Sequence, residues 1–486
     1  MLNRATLSCP AGVTAPSYDL GKVTPGIVHI GLGGFHRAHF ARYTHDLMAA
    51  DPGALGWGIV GAGLRPSDSA LLQTLNRQDG LYTLIERDGV REQRTVIGSI
   101  LRAIDASSDS SALLDAIAPR QIRIVSITVS QNGYHLDAAR GLNRADPTIQ
   151  QDIATPRRPR SLLGILVEAF RRRREAGLPA FTALSCDNIP HNGAVLRAVV
   201  LALAELSDPG LAAWIADHGC FPSSMVDRIT PVATPEEILA FRRETGLDDA
   251  APIFSEAFRQ WVIEDRFTDG RPAWDRAGAQ FVGDVAPYEA MKLRLLNASH
   301  LATASLGALC GYETVVQTLA DPLIRRYMVR LMDAETGPTL APVQGVDLAA
   351  YKRALIDRFA NPAIRDTVQR IGADAPVSLL LDPLQDRLAA SAPIDLLALG
   401  LAAWCRRVQL DASRPLEGRP MGKAELLLQL RAHAHDDPIA FLGVEDIFGP
   451  VGRDPRLLAS VNAWLRSIED LGAPETLKRA GDSGAF

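Results

Sequence analysis

No pair among the five cysteines, Cys9, Cys186, Cys220, Cys310 and Cys405, has C-x-x-C spacing, so the chain offers neither a zinc ribbon nor a disulfide framework. Reduced, mostly buried thiols are expected. No apolar run reaches the roughly 18 residues needed to span a bilayer, and the opening MLNRATLSCPAGVTAPSYD lacks the apolar stretch of a secretion signal. With no membrane or export signal, the expectation is a cytoplasmic protein. Charge of one sign is also scarce. The net charge is −5, and the one dense basic run, Arg171 to Arg174, is followed directly by Glu175 in a helix-like stretch. That pattern predicts a solvated helix face and argues against a nucleic-acid partner. Biased tracts and internal repeats are missing as well.

What remains is an ordinary globular composition, with 47% apolar and 22% charged residues. A chain of 486 residues exceeds what one hydrophobic core usually supports, so two domains are expected. Between Ile27 and about Val285, short apolar runs (IVHIG, WGIVGAG, LYTLIE, IRIVSITVS and AFTALSC) alternate with helix-like segments. The alternation predicts a largely parallel sheet covered by helices, an α/β domain over residues 1–285. Over residues 286–486 the period changes. LIRRYMVRLMDAE, LAAYKRALIDRFA, IDLLALGLAAWCRRV, AELLLQLRAHA and LLASVNAWLRSIED all predict helices, giving a mostly α-helical second domain.

The first predicted strand runs into Gly31-Leu32-Gly33-Gly34-Phe35-His36-Arg37, after which AHFARYTHDLMAA predicts a helix. Glycines at such a turn bring backbone N–H groups close to a pyrophosphate, and the helix N-terminus adds partial positive charge. Only two of the three fingerprint glycines are in register, because His36 occupies the last position; a purely structural turn is the alternative. The placement between strand and helix favours a dinucleotide. The second strand ends at GAGLRPSD, where Asp68 can accept hydrogen bonds from an adenosine ribose and repel a 2′-phosphate. NAD is therefore expected over NADP, although the nearby Arg65 could welcome that phosphate, and Asp68 could equally cap SALLQTLNR. Gly31, Gly33, Gly34, Phe35, Arg37 and Asp68 form the expected cofactor-contact set.

The chemistry concentrates in Pro287-Tyr288-Glu289-Ala290-Met291-Lys292-Leu293-Arg294-Leu295-Leu296-Asn297-Ala298-Ser299-His300. As an α-helix, this segment places Glu289, Lys292, Asn297 and His300 within an arc of roughly 140°. Met291, Leu295 and Ala298 lie opposite. A polar stripe bordering an apolar one is expected to be partly enclosed. A desolvated Lys292 could take the proton of a substrate hydroxyl, and Asn297 could stabilise the transient alkoxide without titrating. The alternative is an ordinary amphipathic helix with its lysine in water.

The spacing K-x-x-x-x-N-x-x-H, with CDN and VDR upstream, resembles the polyol-specific long-chain dehydrogenases, and most of all their mannitol 2-dehydrogenase branch. The resemblance runs from about residue 15 to 450. It rests on HIGLGGFHRAH, GAGLRPSD, SCDNIPHNGAV, FPSSMVDRITP, FRQWVIEDRF, GRPAWDRAGAQF, PYEAMKLRLLNASH and TLAPVQGVDLAAYK in that order. It implies a Rossmann-type first domain, a helical second domain, an interdomain active site, a monomer, and metal-free hydride transfer between NAD and a polyol or ketose such as D-mannitol and D-fructose. Under the resemblance Lys292 is the general base and Asn188 and Asn297 form the alkoxide-stabilising pair. His300 contacts substrate hydroxyls, Asp227 and Arg370 bind substrate or complete the pocket, and Glu289 relays protons. Asp227 and Arg228 could instead form a structural ion pair, and Asp187 could simply hold a turn.

Zinc is not expected. His36, His39 and His45 are close in sequence, but no cysteine or carboxylate completes a ligand set at a usable spacing. His433 and His435 are two apart on a helical stretch and face differently. Two departures from the family stand out. Ser130-Gln131-Asn132-Gly133-Tyr134 carries an amide where the family commonly has a carboxylate, and Gly372-Ala373-Asp374-Ala375-Pro376-Val377 lacks the family's usual lysine. A hexuronate reductase of the same superfamily is the rival reading, for which Arg370 could serve as carboxylate anchor. A non-catalytic nucleotide sensor is a remoter one, prompted by Gln131.

Overall fold

The computed structural model describes residues 2–5, 7–89, 91–137, 140–364, 366–374, 376–412 and 439–486. The chain divides into two compact units, Met1–Ala286 and Pro287–Phe486.

At the centre of the first unit is a five-stranded, all-parallel sheet in the order Ile100–Asp105, Gly58–Gly63, Pro25–Ile30, Ile124–Ile127, Thr182–Ser185. Both faces are buried, which is why these strands are apolar at successive positions. Ile27, Ile59 and Ile124 are in register and feed one core, with Phe40, Tyr43, Trp261 and Trp274. One residue further, Val28, Val60 and Val125 feed the other, packed under helices Leu162–Glu175 and Asn192–Ser207.

One strand departs from the sequence expectation. LYTLIE forms Tyr82–Asp88 but lies outside the parallel sheet, paired antiparallel with Arg91–Ile97 and parallel with Ile253–Glu256. A tight connection containing Gly89, at φ 58°, closes this hairpin, so the local partner captures the strand. Ile100–Asp105 takes the sheet edge instead, a strand whose apolar run is interrupted by the exposed Arg102.

The basic run also differs from its expectation. Arg171 and Arg172 pair with the buried Glu168, and Arg174 pairs with Asp208 at the surface. Arg173 instead is 2% exposed and donates to the carbonyls of Ile117, Pro119 and Ile122. That run is therefore three cations paired with carboxylates and one buried clamp.

The second unit is helical, with no strand among its described residues. Helix Ala298–Leu309 packs on Asp395–Ala412, which packs in turn on Pro455–Leu471. Leu457, Val461, Leu465 and Ile468 supply the apolar stripe of that last helix at helical spacing. AELLLQLRAHA, with His433 and His435, lies outside the described residues.

A buried carboxylate holds this core together. Glu335 accepts hydrogen bonds from the backbone N–H groups of Leu396 (2.9 Å) and Leu397 (2.7 Å), satisfying donors in the first turn of Asp395–Ala412. Burial pushes its pKa up from the usual carboxylate range to about 7, against the lowering effect of those two N–H groups. The folded state therefore holds this proton more tightly than the unfolded chain, and the contribution of Glu335 to stability is fully present below about pH 4.5 and is lost as pH rises to about 7. The expected loss is about 3 kcal/mol from this one group. Urea unfolding followed across that range checks it. Glu335→Gln, which cannot titrate, should flatten the slope; an unchanged slope would exclude Glu335 as its source.

Candidate active site

The nucleotide turn begins where strand Pro25–Ile30 ends. Gly31 has φ 100°, and a Cβ there would lie 2.0 Å from the Thr128 carbonyl oxygen, so only glycine fits. Gly34 opens a short helix, Gly34–Ala38, with Ile253 pressed against it at 3.2 Å from a would-be Cβ. Gly33 is different. A Cβ there would meet nothing nearer than the Gly31 oxygen at 3.8 Å, so the space over this backbone is open. An open approach to a glycine backbone beside the unsatisfied N–H groups of a helix start is what a dinucleotide pyrophosphate needs.

The neighbours in this segment are more structural than the fingerprint implies. His36, at the third fingerprint position, is fully buried and stacks on His29 at 3.4 Å between ring centroids. Phe35 stacks on His39 at 4.9 Å. The expectation that Arg37 contacts cofactor needs correction. Its side chain is buried, donates to the Ala251 carbonyl at 2.6 Å and lies over the Tyr82 ring, which places it in the core. Asp68 does not cap SALLQTLNR through its side chain; it accepts from the Arg65 backbone N–H at 3.2 Å and pairs with the Arg65 guanidinium at 2.8 Å. Arg65 thus carries its own counter-charge.

His39 and His45 each have a different hydrogen-bond partner. The ring of His39 meets the Gln260 carbonyl and that of His45 meets the Tyr18 hydroxyl, each at 2.9 Å. Burial lowers the pKa of His39 to about 3 and of His45 to about 4, so both rings are neutral at ordinary pH. Among the described residues, no group of three His, Cys, Asp or Glu side chains is arranged to hold a metal.

At the end of strand Thr182–Ser185 come Asp187, buried, and Asn188, exposed. Asn188 thus lies past the carboxyl end of a parallel strand, the edge at which such sheets bind ligands. Asp187 holds a turn. Its carboxylate accepts from the N–H groups of Ser130 (2.8 Å) and Val129 (3.2 Å) and from the Tyr134 hydroxyl (2.9 Å). This fixes the segment that carries Gln131, and burial raises the Asp187 pKa. The sequence reading passes over Asn192. Its amide bonds to the Asp187 carbonyl, the Ser224 carbonyl and the Ser224 N–H, tying the CDN turn to strand Ser224–Asp227. A polar residue three places into PHNGAV, just before an apolar helical run, is the only signal that could have found it.

Asp227 is buried at the end of that strand. Arg228 forms its ion pair with Glu86, and donates to the carbonyls of Glu256 and Ala38. Glu86 also pairs with Arg42 at 2.9 Å, and Asp46 links Arg42 to Arg259. Arg228 is therefore part of the unit's buried charge network.

In the second unit the Lys292 segment is not one regular α-helix, which corrects the 140° arc. Helix Ala286–Met291 widens into a π-helical turn, Lys292–Asn297, before continuing as Ala298–Leu309. A π turn is wider than an α turn, with i→i+5 hydrogen bonds, so the first and last positions of the Lys-x-x-x-x-Asn spacing are offset less around the axis than in an α-helix. The Ser299 hydroxyl donates to the local carbonyls of Leu295 and Leu296. Lys292 and Glu289 are 6% and 8% exposed, and Asn297 and His300 are half-buried. Met291, Leu295 and Ala298 are fully buried opposite them. The His300 ring stacks on Phe359 at 4.3 Å.

Arg370 lies on helix Val368–Asp374, which packs on Ala298–Leu309. Its guanidinium forms a two-pronged pair with the buried Asp366, with Nε 2.7 Å from Oδ1. Arg407 donates to the Gly372 carbonyl at 2.9 Å, in the segment where the family's lysine is missing.

Two family models cover the chain: the mannitol dehydrogenase Rossmann domain over residues 25–276 and the mannitol dehydrogenase C-terminal domain over residues 284–469. The chain belongs to the mannitol dehydrogenase family. It is an oxidoreductase, with the Rossmann-type first domain and helical second domain that the resemblance implied. Among relatives of this mannitol dehydrogenase family member, a mannitol 2-dehydrogenase of Cereibacter sphaeroides is 39% identical over 471 residues, covering 96% of this chain and 98% of that one. A D-mannonate oxidoreductase of Escherichia coli K12 is 45% identical over 403 residues, 82% of each chain. The Pseudomonas fluorescens mannitol 2-dehydrogenase, solved as a ternary complex with NAD and D-mannitol, superposes with a TM-score of 0.91 at 41% identity, covering 99% of both chains. No helix among the described residues is long and apolar enough to cross a membrane.

Proposed function

We propose that this mannitol dehydrogenase family member is an NAD-dependent dehydrogenase that interconverts D-mannitol and D-fructose. The observation that carries the reading is the buried Lys292 at the start of a π-helical turn that ends at Asn297. When bound, NAD accepts or returns a hydride at its nicotinamide ring. The chain's residues do the rest. Removing an ammonium from water favours the neutral amine, so a buried lysine can take the hydroxyl proton as the carbon–hydrogen bond breaks. In the second unit Asn297 donates an N–H group to the developing alkoxide oxygen and His300 orients the other hydroxyls; the family resemblance assigns Asn188 and Asp227 the same two roles. Glu289, one helical turn before Lys292, returns the collected proton to water. Gly31, Gly33 and Gly34 admit the pyrophosphate, and Asp68 favours a ribose with a free 2′-hydroxyl.

A second reading, reduction of a ketose acid, draws support from the 45% identity to a D-mannonate oxidoreductase. Charge favours the polyol: a substrate carboxylate needs a cation, and the Arg370 guanidinium already faces the Asp366 carboxylate. Initial rates of NADH oxidation with D-fructose and D-fructuronate, side by side, test this. The expected outcome is a higher kcat/KM for fructose. A preference for fructuronate would overturn the polyol assignment and make Arg370 the anchor.

A further inference from the structure

The fully buried His29 and His36 take no part in the chemistry above, yet they lie directly beneath the nucleotide turn. The Ser126 hydroxyl is 2.8 Å from His29 Nδ1, and His29 Nε2 is 2.9 Å from the Thr128 hydroxyl oxygen and 3.3 Å from the Gly31 carbonyl oxygen. Thr128 donates its own proton to that Gly31 oxygen at 2.8 Å. A carbonyl only accepts, which assigns the proton of His29 to Nε2 and leaves Nδ1 to accept from Ser126. The bonds then run one way: Ser126 to His29, His29 to Thr128, Thr128 to Gly31. The Gly33 N–H closes on the same oxygen at 2.7 Å.

The Gly31 carbonyl is thus the point on which the turn is fixed, at the one residue forced to φ 100°. Neither ring nitrogen of His36 has a hydrogen-bond partner among the described residues, so His36 contributes a flat surface against His29 and Phe40. Burial lowers the pKa of His29 to about 3, so ordinary changes of pH leave its direction of donation intact.

We infer that His29 and Thr128 are positioning residues for the cofactor, locking the Gly31 carbonyl so that the backbone over Gly33 stays open to the pyrophosphate. The inference rests on the reading of this turn as the cofactor's. It requires that loss of the Thr128 hydroxyl weaken dinucleotide binding without touching the group that moves the proton. The test uses the full chain and NADH itself, with Thr128→Val, His29→Phe and the hydroxyl-retaining Thr128→Ser. Fluorescence titration should show Kd for NADH raised about tenfold in Thr128→Val and restored towards wild type in Thr128→Ser. At saturating NADH, kcat should change far less than KM for NADH. Should His29→Phe fail to fold, the two Thr128 variants still decide the matter. An unchanged Kd in Thr128→Val, or a fall in kcat with no change in Kd, would overturn the inference. Wild-type protein that does not bind NADH would instead overturn the reading of the turn on which the inference rests.

Discussion

Lys292→Ala is expected to lower kcat/KM for ketose reduction by about 10³-fold, equivalent to about 4 kcal/mol of transition-state stabilisation. In the proposed mechanism the protonated Lys292 amine supplies, in that direction, the proton that converts the forming alkoxide to the alcohol, and neither neighbouring polar residue is proposed for that step. Asn297 does not titrate, and Glu289, on the preceding helix, has the proposed part of exchanging protons with water. Kd for NADH should stay close to the wild-type value, because Lys292 is not among the residues proposed to admit the pyrophosphate, Gly31, Gly33 and Gly34. Steady-state kinetics with a parallel NADH titration separate the two effects. A variant that kept more than about a tenth of the wild-type kcat/KM would remove Lys292 from the role of general base.

The largest expected effect on stability is at Glu86, which faces two buried arginines, Arg228 and Arg42. Its side chain is 7% exposed and that of Arg228 is wholly buried. Breaking a buried pair by neutralising one member leaves the other charge without compensation, typically worth 3–5 kcal/mol. Glu86→Gln keeps the shape and removes the charge, so the folded first unit should lose about 3 kcal/mol or more, read as a lower urea midpoint. Adding Arg228→Met removes the stranded cation and should recover part of the loss. An unchanged midpoint in Glu86→Gln would show that the network is solvated enough to carry no net stability.

Much of this was legible in the sequence for identifiable reasons. Parallel strands buried on both faces read as unbroken apolar runs, so four of the five central strands stood out. The fifth, Ile100–Asp105, was hidden by Arg102, and LYTLIE was misplaced because sheet membership depends on the partner. Helix starts were marked more clearly than expected. Asp146, Asp208, Asp321 and Asp454 each precede a proline and cap the helix that begins there.

The site was legible where spacing carries chemistry and opaque where tertiary packing decides. The Lys292, Asn297 and His300 spacing pointed to one face, but not to the π-helical turn that begins at Lys292 and ends at Asn297. Arg37, in a glycine-rich turn, has the residue type of a phosphate ligand; only the fold shows its guanidinium turned towards Ala251. Asn192 and Glu335 join segments 32 and 61 residues away, and no local pattern records such partners.

The most direct test of the account is to incubate the protein with NAD and D-mannitol, follow NADH formation and identify the sugar produced. The account predicts NADH and D-fructose in equal amounts, with no added metal required. NADH formation without D-fructose, or no NADH from mannitol while a ketose acid is reduced, would contradict it.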